Sequence, residues 1–213
     1  LLAGWAAEAS AQIRPYGRMT GTSAELIFAG NGPNTDEYVE GVLDVDPLVG
    51  LGLSFHWRPI PFVSVGFLGY YGFLQVDSVG LLDAVVDSEH GGFLALQAEV
   101  RGHLPIWRFD PWLGFGFGYG MHWLKATGEE GIEDTEIRAS LHGISFSLGV
   151  GVDFFVTNQF YLTPFFRMFL NAWITECWRS ENIPGFDDDC DSIDDRDDLP
   201  HFWTVGLSAS YIW

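Results

Sequence analysis

Large apolar residues recur at every second position along most of this chain, the period at which the side chains of a β-strand return to one face. Residues 48–57 set Val49, Leu51, Leu53, Phe55 and Trp57 against Gly50, Gly52, Ser54 and His56. Residues 63–76 set Val63, Val65, Phe67, Tyr71 and Phe73 against Ser64, Gly66, Tyr70 and Gly72. The alternation continues through 93–104, 112–125, 144–154, 160–174 and 201–213. It is less regular through 12–28, where Tyr16, Arg18 and Thr20 fall on one face. Eight strands are predicted. Three connections are short (58–61, 105–111 and 157–159) and four are longer (29–46, 77–91, 126–137 and 176–199), in strict alternation. That order suits an up-and-down antiparallel sheet with both chain ends on the short-turn side.

The apolar parity is almost purely aliphatic and aromatic over five or more positions per strand. That is more than a water-facing surface tolerates, and more bulk than the interior of eight strands can hold. The other parity carries Glu99, Arg101, Asp153 and Arg167, charges that can find partners in a narrow interior. The expected fold is all-β, an eight-stranded antiparallel up-and-down transmembrane β-barrel with its apolar face to lipid. The uncharged run 59–76 contains two prolines and three glycines, so it does not make a membrane helix.

Within 113–123, glycine stands at every second position: Gly114, Gly116, Gly118 and Gly120. Glycine weakens a strand, so its regular use needs a reason. An eight-stranded interior is just wide enough to be filled by side chains. These glycines are expected to line the lumen and leave room for Tyr16, Tyr70, Phe165, Arg167, Phe169 and Trp173. Phe115, Phe117, Tyr119 and Met121 then face lipid.

Charge changes the picture at one end only. The chain has 29 acidic and 10 basic residues, a formal net charge of −19, which excludes a nucleic-acid partner. The four longer connections hold 24 of those 29 acids. The last of them contains eight aspartates in 185–198, and Asp187, Asp189, Asp191 and Asp194 offer hard oxygen ligands suited to calcium. The glycine turn and terminal glutamate of an EF-hand are missing, so a solvated, self-repelling loop is the alternative. No other cofactor is expected. Cys177 and Cys190 flank the start of this loop and are expected to form a disulfide in an exported chain. Export is suggested by residues 1–11, a short apolar run ending in Ala9-Ser10-Ala11, which has the form of a signal-peptide remnant. Residues 12–213 then form the barrel.

The stretch from 12 to 213 resembles the small eight-stranded outer-membrane barrels of Gram-negative bacteria, the OmpA, OmpX and OmpW type. The sharpest local feature is the end, "VGLSASYIW", with Tyr211 two residues before an aromatic Trp213. Such a terminal strand is what the barrel-assembly machinery reads, although the usual last residue is phenylalanine. The resemblance implies a monomer in the bacterial outer membrane, among lipid and lipopolysaccharide. It also implies short periplasmic turns and long, acidic extracellular loops.

Arg18, Glu99, Arg101, Asp153 and Arg167 are candidates for a lumen network that plugs the barrel, or whose pairs exchange to gate a narrow pore. His56 and His103 are expected to point inward near the short turns, and His122 and His142 to lie on opposite faces. His201, Ser208 and Ser210 share a strand but lack a G-x-S-x-G motif and an acid partner, so no enzyme is expected. The expected role is structural or surface-interacting. The alternative is OmpW-like passage of small hydrophobic molecules. A cavity beside the glycine stripe with a lateral opening would favour passage; a lumen filled by Arg167, Glu99 and aromatics would favour a plug.

Overall fold

Nine strands and no helix make up the computed structural model, which describes residues 20–33, 43–78, 86–130, 133–181, 189–193 and 200–213. The strands are β1 (Gly21–Pro33), β2 (Leu43–Ile60), β3 (Val63–Ser78), β4 (Val86–His103), β5 (Phe109–Glu130), β6 (Glu133–Phe155), β7 (Phe160–Glu181), β8 (Asp189–Ser192) and β9 (Phe202–Ile212). Eight of them form a closed ring in the order β6-β5-β4-β3-β2-β1-β9-β7, with β7 pairing back onto β6. Every pairing is antiparallel. Closure pairs the backbone groups of the first strand with those of the last, which an apolar solvent requires. The Trp213 N–H completes the seam by donating to the Thr22 carbonyl at 3.0 Å.

Facing follows the two-residue period. Val49, Leu51, Leu53, Phe55 and Trp57 of β2, Leu113, Phe115 and Phe117 of β5, and Ile144, Phe146, Leu148 and Val150 of β6 are all exposed on the outside. Their neighbours Ser54, His56, Ser145 and Ser147 are buried. The outer face is thus a continuous hydrocarbon and aromatic belt, and the axis is filled by polar side chains together with a buried apolar cluster. This is the arrangement of a membrane barrel. No helix among the described residues is long and apolar enough to cross a membrane.

Three expectations are corrected. The first strand does not run over 12–28. It begins at Gly21, whose φ of +147° suits glycine and where a Cβ would press on the Trp213 carbonyl, and it continues to Pro33. Its lumen face is Ser23, Glu25, Ile27, Ala29 and Asn31, and Thr20 is exposed. Tyr16, Arg18 and the segment 1–11 lie outside the described residues. Second, the described parts of the long connections are almost all strand. β5 and β6 stay paired out to Glu130 and Glu133. At 22 residues β5 reaches about 70 Å, far beyond the roughly 30 Å hydrocarbon layer. Above that layer water bathes both faces, so nothing imposes an apolar alternation. Third, a ninth short strand, β8, lies against β7 within the last connection.

Candidate functional site

The lumen collects the side chains that could carry function. Glu25 from β1, His56 from β2, Glu99 and Arg101 from β4, and Arg167 from β7 all point inward and are buried. Glu99 is the hub. It accepts from Arg167 Nη2 at 2.6 Å and from Arg101 Nη2 at 3.2 Å, and His56 Nε2 lies 3.2 Å away. Arg101 also donates to Glu25 at 2.8 Å, and Glu25 accepts from Ser54 at 2.6 Å and from Ser208. Two carboxylates and two guanidiniums therefore balance one another inside the wall and tie β1, β2, β4, β7 and β9 across the axis.

Asp153 stands apart from this hub. It accepts from Trp112 Nε1 at 2.9 Å and Thr163 Oγ1 at 2.8 Å, and Arg101 stacks 4.3 Å over the Trp112 ring. Nearer the short turns, the Arg58 guanidinium pairs with Asp110 and also donates to the Pro61 carbonyl. Ser64 Oγ lies 2.8 Å from His103 Nε2, and His103 Nδ1 lies 3.1 Å from Asp110 Oδ2. That is the order of a nucleophilic triad. The cavity that Ser64 and His103 line is only about 20 Å³, enough for a water and too small for an acyl group. The ligand atoms of His103, Asp110 and Asp153 lie within 4.8 Å of one another, yet Arg58, Trp112 and Thr163 already engage the two carboxylates.

Toward the long hairpins the filling turns apolar. Phe93 stacks on Phe202 at 4.4 Å between centroids and meets Phe169 edge-on at 5.1 Å, while Tyr70 stacks on Phe169 at 5.7 Å. His122 lies against Phe202 at 5.3 Å. Ile27, Leu68, Leu74, Ala95, Leu141 and Trp173 belong to the same buried cluster.

The glycine stripe makes room for both fillings. A Cβ at Gly114 would come within 2.8 Å of Glu99 Oε1 and 3.1 Å of the Trp112 ring. One at Gly116 would strike Gln97 and Ser147, one at Gly118 the Leu96 carbonyl, and one at Gly120 would sit 3.0 Å from Asn171 Oδ1. Trp112 likewise lies across Gly151, where a Cβ would be 2.6 Å from its ring. Gln97 bridges to Ser145 at 3.0 Å and Ser147 at 2.6 Å over this floor.

Of the predicted network, Glu99, Arg101 and Arg167 meet directly, Asp153 has other partners, and Arg18 lies outside the described residues. Glu25, Arg58, Ser64 and Asp110 were not anticipated as network members. For Glu25 the cause is the misplaced first strand; Arg58 and Asp110 fall in segments that read as short connections, and Ser64 reads as a polar-face residue whose partner His103 lies 39 residues away. Cys177 and Cys190 form the disulfide, pairing β7 with β8. Asp189 lies opposite Trp178 and Asp191 opposite Glu176, while Asp187 and Asp194 lie outside the described residues. Ser208 is bound to Glu25 and His201 accepts the Asn171 N–H at 3.2 Å, so the serine and histidine of this segment have separate partners. His122 is buried, while His142 lies 2.6 Å from the Tyr119 hydroxyl on the outer face. Tyr211 and Trp213 stand exposed on the outer face at the seam.

No protein-family model matches the chain, and no curated protein resembles it in sequence. Solved structures do. A major outer membrane protein from Thermus thermophilus superposes with a TM-score of 0.63 at 15% identity, covering 90% of this chain and 99% of that one. OprG from Pseudomonas aeruginosa gives 0.54 at 15% identity, covering 91% and 97%. Ail, the attachment invasion locus protein of Yersinia pestis, gives 0.51 at 13% identity, covering 91% and 99%. At such identities the likeness concerns architecture. The chain has the fold of the bacterial outer-membrane barrels, with the lipid-facing belt that fold requires.

Proposed function

We propose that this protein is an integral outer-membrane barrel with a sealed lumen, acting as a structural element or as a mount for its acidic outer loops. It works as a monomer among outer-membrane lipid and lipopolysaccharide after insertion by the barrel-assembly machinery. One observation carries the seal: Glu99, joined to Arg101, Arg167 and His56, crosses the axis beneath the packed rings of Phe93, Phe169 and Phe202. Passage of small hydrophobic molecules would need open space beside Gly114, Gly116, Gly118 and Gly120. Glu99, Gln97, Ser147 and Asn171 lie against that sector. Hydrolysis is not part of the proposal, because Ser64 and His103 border a water-sized space.

The test is conductance in planar bilayers, with and without calcium. Insertions are expected to be electrically silent in both. Steady current in nearly every insertion defeats the sealed reading.

A further inference from the structure

The lumenal pair of Ser64 and His103 is walled in, but a second serine and histidine meet on the outside of the barrel. Ser140 and His142 are two residues apart on β6, so they share the face that carries Ile144, Phe146 and Leu148 of the belt. Ser140 Oγ lies 3.1 Å from His142 Nε2, and His142 Nδ1 lies 2.6 Å from the Tyr119 hydroxyl of β5. A hydroxyl, an imidazole and a third group on the far ring nitrogen thus follow one another at the distances nucleophilic catalysis demands.

The site has a defined height and a braced wall. Met121 stands opposite His142, and Trp123 opposite Ser140. On the acyl-chain side of them lie Tyr119, Phe117, Ile144 and Phe146, all exposed. On the water side the next outward pair is Lys125 and Arg138, so the apolar belt ends at the level of Ser140. On the neighbouring strand Ser140 faces Cys177, which the disulfide ties to Cys190 of β8. The β6–β7 register shifts between His142 and Gly143. Irregularities of this kind re-aim side chains and recur beside active sites. Ser140 and His142 are half-buried and, with Met121 and Trp123, border a groove of about 790 Å³, against about 20 Å³ beside Ser64.

We propose that Ser140 is the nucleophile of a lipid-ester hydrolase on the outer face, with His142 as its general base and Tyr119 as the group that positions the imidazole. The Nδ1–H of His142 donates to the phenol oxygen, which leaves the Nε2 lone pair for the Ser140 hydroxyl. Ser140 Oγ attacks the ester carbonyl carbon while its proton passes to Nε2. The bond from that carbon to the lipid alcohol breaks, the departing oxygen takes the proton from Nε2, and the acyl group stays on Ser140. A water from the headgroup layer gives a proton to Nε2 and attacks the acyl carbon. The fatty acid leaves, and the proton returns to Ser140 Oγ. The substrate is a carboxylic ester of a membrane lipid, because a chain lying along Phe117, Ile144 and Phe146 brings its ester to the level of Ser140. The inference goes beyond the structural role proposed above; it rests on the outward-facing belt, and not on whether the lumen conducts.

The test uses the full-length barrel in vesicles of phosphatidylethanolamine and phosphatidylglycerol, with and without lipopolysaccharide, and reads released fatty acid by mass spectrometry. Wild type releases fatty acid from at least one of these lipids, and a fluorophosphonate probe labels Ser140, located by peptide mapping. Ser140→Ala and His142→Asn each lower kcat at least about a hundredfold. Tyr119→Phe keeps the ring and lowers kcat about tenfold, the effect of one lost hydrogen bond, with KM unchanged. Ser64→Ala, which removes the lumenal serine, leaves release unchanged. All variants must keep the heat-modifiable gel mobility of a folded barrel, and the label on wild type gives a reading that depends on no variant. Absence of fatty acid from every lipid, absence of label on Ser140, or undiminished release by folded Ser140→Ala overturns the proposal. A loss in Ser64→Ala equal to that in Ser140→Ala does the same. Turnover of p-nitrophenyl acetate with a kcat/KM matching that of the lipids also overturns it, in favour of a soluble ester.

Discussion

Toward the short turns the barrel axis is crossed by charges, and toward the long hairpins by rings. In the first region Glu25, Glu99, Arg101 and Arg167 neutralise one another, with Arg58 on Asp110 beneath them. In the second, Tyr70, Phe93, Phe169 and Phe202 meet through their faces and edges. The two solutions fail differently. A buried ion network is steep: removing one partner strands another charge in a medium that cannot solvate it, although exchanging the whole set for apolar residues can be neutral. An aromatic cluster is forgiving, because neighbouring rings relax into part of the space that is lost. Two seals of unlike chemistry in series mean that no single substitution should open the barrel.

The largest effect is expected at the hub. Glu99→Ala leaves Arg101 and Arg167 short of a counter-ion and should cost about 3–5 kcal/mol in urea unfolding from lipid vesicles. Replacing Glu25, Glu99, Arg101 and Arg167 together by apolar residues should recover most of that loss. A quadruple variant weaker than Glu99→Ala would show the network to be a true source of stability. In the ring region, Phe169→Ala should cost about 3 kcal/mol, the low end for a buried aromatic. Each of these single variants should remain silent in bilayers, while Glu99→Ala with Phe169→Ala should pass current. Conductance from either alone would mean that only one seal exists.

The smallest effects separate lumen from lipid face. Gly118→Ala pushes a methyl against the Leu96 carbonyl and should cost about 1–3 kcal/mol. Gly102→Ala, whose Cβ would meet nothing nearer than 3.9 Å, should be neutral or gain about 0.5 kcal/mol. Parallel unfolding curves that rank these two alanines the other way would break the assignment of glycines to inside and outside.

How much could be read from the residues divides at the same boundary. Inside the belt each position answers to lipid on one side and to the axis on the other, so alternation in β2 to β7 and β9 reveals facing residue by residue. Beyond the belt that asymmetry disappears, which is why residues 126–130 of β5 and 133–137 of β6 look like acidic loop. The start of β1 is hidden for a different reason, since it depends on a single glycine meeting the far end of the chain at Trp213. Partners within the lumen are set by barrel closure. Glu25 and Arg101 are 76 residues apart and meet only once the ring is complete. Glu99, Arg101 and Arg167 were legible as inward charges, but the bonds among them were not.

Fluorine NMR of the barrel carrying fluorophenylalanine at its 18 phenylalanines, in bicelles equilibrated with oxygen, tests the inside-out arrangement most directly. Oxygen concentrates among acyl chains, so resonances of Phe67, Phe115, Phe117 and Phe146 should shift and broaden strongly. Those of Phe93, Phe165, Phe169 and Phe202 should barely respond. Oxygen sensitivity in the second group with protection of the first, or the same response from all, would contradict a barrel that turns its bulk to lipid.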